Sequence, residues 1–149
     1  MHYISKKYSI CCAHRLEGHP KCGRLHGHNY EIEVKTGGLL TNGMVIDYEK
    51  LDRLVKPIID ELDHRYLVSL DNIAADDPYY LVNLERRTAN VPDDMFLLEV
   101  QQSTAELIAS WLYDQVQMAC IQGGYLGLLM YMEVMVCETP KVMAKYNKF

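Results

Sequence analysis

The sequence lacks the features that define several large protein classes. Its 149 residues contain 15 Lys and Arg against 20 Asp and Glu, a formal net charge of −5. They show no basic stripe of the kind that nucleic-acid-binding proteins carry. No apolar run approaches the ~20 residues that span a bilayer, and the N-terminus lacks the apolar core and cleavage site of a signal peptide. We therefore expect a cytoplasmic protein that binds neither nucleic acid nor membrane.

Paired cysteines, repeats and linkers are also missing. The five cysteines are odd in number, and Cys11 and Cys12 are adjacent, which suits a reduced compartment better than a disulfide framework. No CxxC pair occurs, and this excludes zinc ribbons and thioredoxin-like sites. Without internal repeats or a Gly/Ser linker, the chain is predicted to form a single domain over residues 1–149.

Hydrophobic periodicity predicts four strands and two helices in the order ββααββ. The strands are expected at residues 1–13, 29–36, 126–137 and 141–146, and the helices at 47–62 and 103–121. Pro57 predicts a kink in the first helix, and Ser103 with Glu106 matches a capping box at the start of the second. The polar, turn-rich segment 71–92 is predicted to be a long loop or excursion. This order favours an α+β fold in which two helices cover one face of an antiparallel sheet.

Four of the six histidines lie between His14 and His28, and the sharpest motif is His26-Gly27-His28. Residues two apart on a strand point to the same face, so two imidazoles placed in this way can bind one ion. His14 supplies a third nitrogen if the two strands pair as a hairpin. Three histidines without a fourth protein ligand leave one position open, which is the catalytic pattern rather than the structural one. His19 is predicted to be exposed and not to be a ligand.

Three further features carry candidate chemistry. Three roles are open for Cys22. It is a fourth metal ligand, a buried small residue, or an acid/base or nucleophile activated by nearby positive charge. Asp63 beside His64 can set the tautomer of the imidazole, although His64 at a helix C-terminus is also explained by the helix dipole. The capping box by itself explains the presence of Glu106, without a role in the chemistry. Glu138, at the end of an apolar strand, can accept two hydrogen bonds from an amidine-like edge such as a pterin ring.

Taken in order, these motifs resemble the family of 6-pyruvoyltetrahydropterin and 6-carboxytetrahydropterin synthases. The resemblance covers most of the chain. It rests on His14, Cys22-x3-His26-Gly27-His28, Asp47-Tyr48, Asp63-His64, Ser103-Thr104-Ala105-Glu106 and Glu138-Thr139. It implies Zn²⁺ bound by His14, His26 and His28, with Cys22, Asp63 and His64 as catalytic residues. It also implies that Glu138 anchors the pterin and that Thr104 and Glu106 belong to a second substrate-binding segment.

The spacing within the cysteine motif separates the branches of the family. Three residues lie between Cys22 and His26, as in the carboxy-forming branch of the queuosine pathway, whereas the pyruvoyl-forming enzymes have five. The resemblance therefore implies a carbon–carbon lyase that converts 7,8-dihydroneopterin triphosphate to 6-carboxy-5,6,7,8-tetrahydropterin, acetaldehyde and triphosphate. Zinc would act as a Lewis acid on the side-chain hydroxyls. Lys21 and Arg24, close to the metal motif, are candidates for triphosphate contacts.

The resemblance also implies a fold and an assembly. Members have the tunnelling fold (T-fold), in which sheets of neighbouring subunits join into a barrel. They are typically hexamers built from two trimers, with sites at subunit interfaces. Three alternatives stay open at this point: 6-pyruvoyltetrahydropterin synthase activity on the same substrate, a non-catalytic module that binds zinc or a pterin, and a zinc hydrolase that uses metal-bound water and needs neither Cys22 nor His64.

Overall fold

A mixed β-sheet forms the centre of the structure, a computed structural model that describes residues 1–89 and 93–148. Within these residues the sheet has six strands in the spatial order β4-β3-β1-β2-β5-β6. The strands are β1 (His2–His14), β2 (His26–Gly38), β3 (Arg65–Val68), β4 (Met95–Leu97), β5 (Tyr131–Thr139) and β6 (Val142–Tyr146). β3 runs parallel to β1 and to β4, whereas the other pairs are antiparallel.

Helices lie before, between and after the short strands. They are α1 (Tyr48–Asp60), α2 (Leu70–Ala74), α3 (Pro78–Thr88), α4 (Ala105–Gln122) and a 3₁₀ helix (Leu126–Met130). α1 begins where the sequence predicts, because the Asp47 side chain accepts a hydrogen bond from the Glu49 N–H at 2.8 Å. Among the described residues, none of the helices has both the length and the apolar character needed to cross a bilayer.

The core lies between one face of the sheet and the helices α1 and α4. Tyr30, Ile32 and Val34 alternate along β2 and are buried, as the period of two in the sequence predicts. α4 contributes Ile108, Leu112 and other apolar residues at three- and four-residue spacing to the same core. The odd-numbered residues of β1 and β2 point to the opposite face, which holds most of the exposed polar side chains of this hairpin.

The predicted four-stranded antiparallel sheet with two helices is wrong in its counts and in strand direction. β3 and β4 have only four and three residues, and parallel strands depend on a crossover that local periodicity does not reveal. The loop predicted for 71–92 is also wrong over 71–89, where most residues belong to α2 and α3. Side chains of Ser69 and Asp77 cap these helices. Residues 90–92 lie outside the described part of the chain.

Two details at the predicted element ends also differ. The N-cap of α4 is Thr104, whose side chain accepts from the Leu107 N–H at 3.4 Å, so the predicted capping box of Ser103 and Glu106 is wrong. The strand predicted from residue 126 starts only at Tyr131, since the 3₁₀ helix occupies the preceding residues. α1 continues through Pro57 to Asp60, as one helix.

Candidate functional site

The β1–β2 hairpin brings three histidines together at its closed end. His14 pairs with His26 across the two strands, and Cys12 pairs with His28, so that all three histidines point to the core face. The Nε2 atoms of His14 and His26 lie 3.1 Å apart. One ligand nitrogen from each of the three rings falls within 4.8 Å of the others. The predicted grouping of His14, His26 and His28 is therefore present in the fold.

Backbone carbonyls fix the tautomers of two of these rings. The Nδ1 of His14 is 2.8 Å from the Ser103 carbonyl oxygen, and the Nδ1 of His26 is 2.7 Å from the Arg24 carbonyl oxygen. Because a carbonyl only accepts, each Nδ1 bears the hydrogen and each Nε2 bears a lone pair. Two lone pairs at 3.1 Å repel one another, and a cation between them removes that repulsion. Backbone carbonyls that accept from ligating histidines are a usual outer shell of a metal site.

Burial favours the neutral, metal-binding form of His14 and His28. Desolvation lowers the pKa of His14 to about 4, against a smaller opposing effect of the Ser103 hydrogen bond. The pKa of His28 is also lowered, again chiefly by burial. Neutral imidazoles with aligned Nε2 atoms suit Zn²⁺, whose tetrahedral ligands at Zn–N distances of ~2.0–2.1 Å lie roughly 3.3 Å apart. The three residues therefore fit a divalent metal ion with an open position for water or substrate.

Glu138 lies next to this cluster. Glu138 belongs to β5, and Met132, Val134 and Val136 of the same strand point to the core face. The Glu138 Oε1 is 4.0 Å from the His14 Nε2. The side chain is 23% exposed, enough to meet a ligand. A cleft of about 630 Å³ is bordered by His28, Glu138 and Met135, among others. That volume is in the range of small-molecule sites, and the cleft is bordered by Glu138 and by one histidine of the cluster, His28.

The loop between β1 and β2 contains the other residues of the cysteine motif. Cys22 is half-buried, and within the described residues its thiol has no hydrogen-bond partner. Lys21 and Arg24 are exposed and form no ion pair with a described carboxylate, so both stay available to an anionic ligand. Arg15, by contrast, is held by Asp77 at 2.9 Å and by Glu17 at 3.2 Å.

Asp63 and His64 form the expected pair, but on a different part of the sheet. The Asp63 Oδ2 is 3.0 Å from the His64 Nδ1, and the Asp63 Oδ1 accepts from the Cys11 N–H. Although burial favours the neutral acid, these hydrogen bonds lower the pKa of Asp63. His64 is 78% exposed, has a left-handed backbone with φ of 59°, and borders a second cleft with Cys11 and Asn29. Those strand residues point away from the core face, and His28 of the histidine cluster borders the same cleft.

The start of α4 reaches the cluster through its backbone. Ser103, immediately before the Thr104 cap, is buried and supplies the carbonyl that orients His14. Thr104 is occupied as the helix cap, and Glu106 is exposed in the first turn. No described contact joins either side chain to the three histidines or to Glu138, so their predicted substrate-binding role stays a prediction.

Sequence reasoning missed three residues that shape the site. The carbonyls of Ser103 and Arg24 orient two of the histidines, and a backbone carbonyl has no signal in the side-chain pattern. His19, predicted to be an exposed bystander, is exposed, yet its ring nitrogen accepts a hydrogen bond from the Cys22 N–H. A histidine three residues before the cysteine was the available signal.

The structure thus combines an α+β fold with a three-histidine cluster that can hold a metal ion and a cleft of ligand size bordered by His28 and Glu138. Residues 3–148 match the model of the 6-pyruvoyl tetrahydropterin synthase family. The chain belongs to this family, as its motif order indicates.

Two relatives place the chain within this family, and one solved structure shares its fold. The 6-carboxy-5,6,7,8-tetrahydropterin synthase of Haemophilus influenzae is 34% identical over 125 residues, covering 78% of this chain and 83% of the relative. A putative enzyme of the same name from Pyrococcus horikoshii is 32% identical over 116 residues, with 76% and 71% covered. The structure of the 6-pyruvoyl tetrahydropterin synthase of Plasmodium vivax is only 20% identical. It superposes with a TM-score of 0.72 over 99% of both chains, which shows the shared T-fold.

Proposed function

We propose that this protein is a zinc-dependent 6-carboxy-5,6,7,8-tetrahydropterin synthase, a carbon–carbon lyase of 7-deazapurine (queuosine or archaeosine) biosynthesis. Its substrate is 7,8-dihydroneopterin triphosphate, and its products are the carboxytetrahydropterin, acetaldehyde and triphosphate. The observation that carries the proposal is the convergence of His14, His26 and His28 beside Glu138, in a chain with three residues between Cys22 and His26. The relatives named above as carboxytetrahydropterin synthases support the same branch.

His14 and His26, the two carbonyl-oriented histidines, would hold the metal together with His28. When bound, Zn²⁺ supplies Lewis-acid polarisation of the substrate hydroxyls and stabilises negative charge that develops on the side chain. Glu138 accepts hydrogen bonds from the pterin edge and thereby fixes the ring in the cleft. A fixed ring places the side chain of the substrate at a constant distance from the metal ligands.

Proton transfer is assigned to Cys22 and His64. The Asp63 carboxylate accepts from the His64 Nδ1–H, which leaves the exposed His64 Nε2 free to take or give a proton. The Cys22 thiol belongs to the loop that joins two metal ligands in sequence, and it is available for the other proton step. Lys21 and Arg24, exposed on the same loop, are proposed to meet the triphosphate.

A second copy of the chain is proposed to complete the site. His64 borders a different cleft from Glu138, and its side chain is largely exposed. A neighbouring subunit that packs its His64 against the Cys22 loop brings the two proton-transfer groups together. This arrangement agrees with a homohexamer of two trimers, the assembly that the family resemblance implies.

The test is the mass of the product formed by zinc-loaded protein from 7,8-dihydroneopterin triphosphate. Carboxytetrahydropterin with released acetaldehyde supports the proposal, and Cys22→Ala is expected to lower turnover at least about 100-fold while zinc binding is retained. A pyruvoyl product would keep the site and overturn the branch. The absence of any product would leave a zinc- or pterin-binding module, and unchanged turnover in Cys22→Ala would remove the role of the thiol.

A further inference from the structure

The His19 imidazole is bonded to the backbone of the Cys22 loop. Its Nδ1 lies 2.9 Å from the Cys22 backbone nitrogen and 3.2 Å from the Lys21 backbone nitrogen. Both partners are N–H donors, so Nδ1 bears a lone pair and accepts from both. The His19 side chain is exposed, and these two bonds are the hydrogen bonds of its ring in the described structure. An exposed ring that bonds the amide of the candidate catalytic cysteine has a local task rather than a core-packing one.

The backbone closes around the same turn. The Gly23 N–H donates to the His19 carbonyl at 2.9 Å, the His19 N–H donates to the Leu16 carbonyl at 3.1 Å, and the Leu16 N–H donates to the Cys22 carbonyl at 2.8 Å. A Cβ at Gly23 would lie 2.5 Å from the His19 carbonyl oxygen, so glycine is needed for this close approach. Cys22 is therefore bonded at its N–H by the His19 ring and at its carbonyl by Leu16.

The base of the loop is anchored to the segment that orients the metal ligand His14. The Glu17 N–H donates to the Gln102 side-chain oxygen at 3.1 Å, and the Gln102 amide donates to the Glu17 carbonyl at 2.9 Å. Gln102 precedes Ser103, whose carbonyl accepts from His14. Hydrogen bonds and adjacent backbone residues thus connect Cys22, through Leu16–Glu17 and Gln102–Ser103, to His14. The His19 ring bonds the Cys22 N–H directly.

We propose that His19 is a positioning residue that holds Cys22 in its reactive place through the Nδ1 bond to the Cys22 N–H. The inference rests on the proposed function only for the catalytic consequence. The positioning itself is a property of the loop and is measurable without turnover. Because a displacement of about 1 Å at a reacting group can cost a factor of ~100 in rate, loss of this bond affects kcat, while KM changes little.

Three variants separate positioning from a general effect of mutation. His19→Ala removes the acceptor, whereas His19→Asn keeps an acceptor oxygen at the branch position that Nδ1 occupies. His19→Gln has the same amide one bond further from the backbone and serves as the matched control. In each variant, carbamidomethylation of Cys22 by iodoacetamide is followed by peptide mass spectrometry, with Cys137 in the same molecule as the reference thiol, alongside kcat and KM.

We expect the Ala and Gln variants to label Cys22 at least about threefold faster and to lose at least about tenfold in kcat. The Asn variant should stay within about twofold of the parent in the Cys22 labelling rate and in kcat. The labelling rate of Cys137 should not change in any variant. Labelling of Cys22 at the parent rate in His19→Ala would overturn the positioning. Faster labelling with unchanged kcat would overturn its link to the reaction. If the parent protein forms no product at all, the proposed function fails, while the labelling rates still decide the positioning.

Discussion

At the scale of single residues, burial divides otherwise identical side chains into reactive and inert ones. Desolvation raises the pKa of Cys12 to about 12 and that of Cys120 to about 11. Cys11 is exposed, and Cys22 and Cys137 are half-buried. Since the thiolate is the nucleophile, a raised pKa makes a thiol unreactive at neutral pH. The same effect of burial, acting on imidazole, keeps His14 neutral and ready to bind a metal.

The first prediction concerns these thiols. At pH 8, iodoacetamide should label Cys11, Cys22 and Cys137, while Cys12 and Cys120 stay unlabelled, because only about one Cys12 in 10⁴ is a thiolate at that pH. Peptide mass spectrometry of the native protein measures this directly. In 8 M urea all five cysteines should react, which is the control. Native labelling of Cys12 as fast as that of Cys11 would contradict the prediction.

The second prediction concerns the metal. His14→Ala or His26→Ala should reduce bound zinc from about one ion per chain to a small fraction, because two imidazoles bind Zn²⁺ far more weakly than three. Elemental analysis after gel filtration gives the stoichiometry. His19→Ala is the matched control and should keep its zinc, since the His19 ring bonds the loop backbone rather than the cluster. Full zinc content in His26→Ala would exclude the three-histidine site.

At the scale of secondary-structure elements, a buried carboxylate connects the segment 70–89 to the β1–β2 hairpin. Asp77 caps α3 by accepting from the Tyr79 and Tyr80 N–H groups. Its other oxygen accepts from Arg15 and from the Tyr66 hydroxyl. Arg15 directly follows His14, a candidate metal ligand, in the chain. A segment that the sequence predicts to be a loop is therefore a helical element bonded to the end of β1.

The third prediction tests that attachment. Asp77→Ala leaves the Arg15 guanidinium without its buried partner, and removal of one member of a buried ion pair costs roughly 3–5 kcal/mol of unfolding free energy. Urea denaturation monitored by circular dichroism measures the change. Asp77→Asn keeps an oxygen for the cap and should lose less. The exposed pair Lys56–Asp60 is the control, and Asp60→Ala should shift the midpoint little. An unchanged midpoint in Asp77→Ala would contradict this role of the carboxylate.

At the scale of the whole molecule, the groups of the proposed chemistry border two clefts. Glu138 borders one and His64 the other, and His28 of the histidine cluster borders both. Among the described residues, no contact joins the His64 side chain to Cys22 or to Glu138. In the proposed closed assembly a neighbouring chain would supply the missing group, because each symmetric interface repeats the same contact.

The fourth prediction follows from a site shared between subunits. Cys22→Ala and His64→Ala proteins should each be nearly inactive, but co-expressed in equal amounts they should recover activity. Random assembly leaves both groups intact at about a quarter of the sites. Turnover of the purified mixed oligomer, compared with each variant alone, gives the measurement. A mixed oligomer without recovered turnover would place both groups in the same chain. A monomer in gel filtration would exclude the proposed hexamer.

Much of this protein is determined by the sequence itself. The grouping of His14, His26 and His28 follows from the strand period once β1 and β2 pair as a hairpin. Asp63 and His64 pair as neighbours in the chain, and Asp47 caps the helix predicted to start there. The family also follows from the order of its motifs.

Only the tertiary structure decided the rest. The short parallel strands β3 and β4, the carbonyl of Ser103 on His14 and the bond from the Cys22 N–H to His19 depend on backbone groups or on segments far apart in the chain. The Ser103 position illustrates why: local pattern favours a helix cap, but the cap passes to Thr104, and Ser103 is buried against the histidine cluster. Side-chain pattern reports which faces are buried, whereas the partners of backbone carbonyls and amides are set by how the whole chain packs.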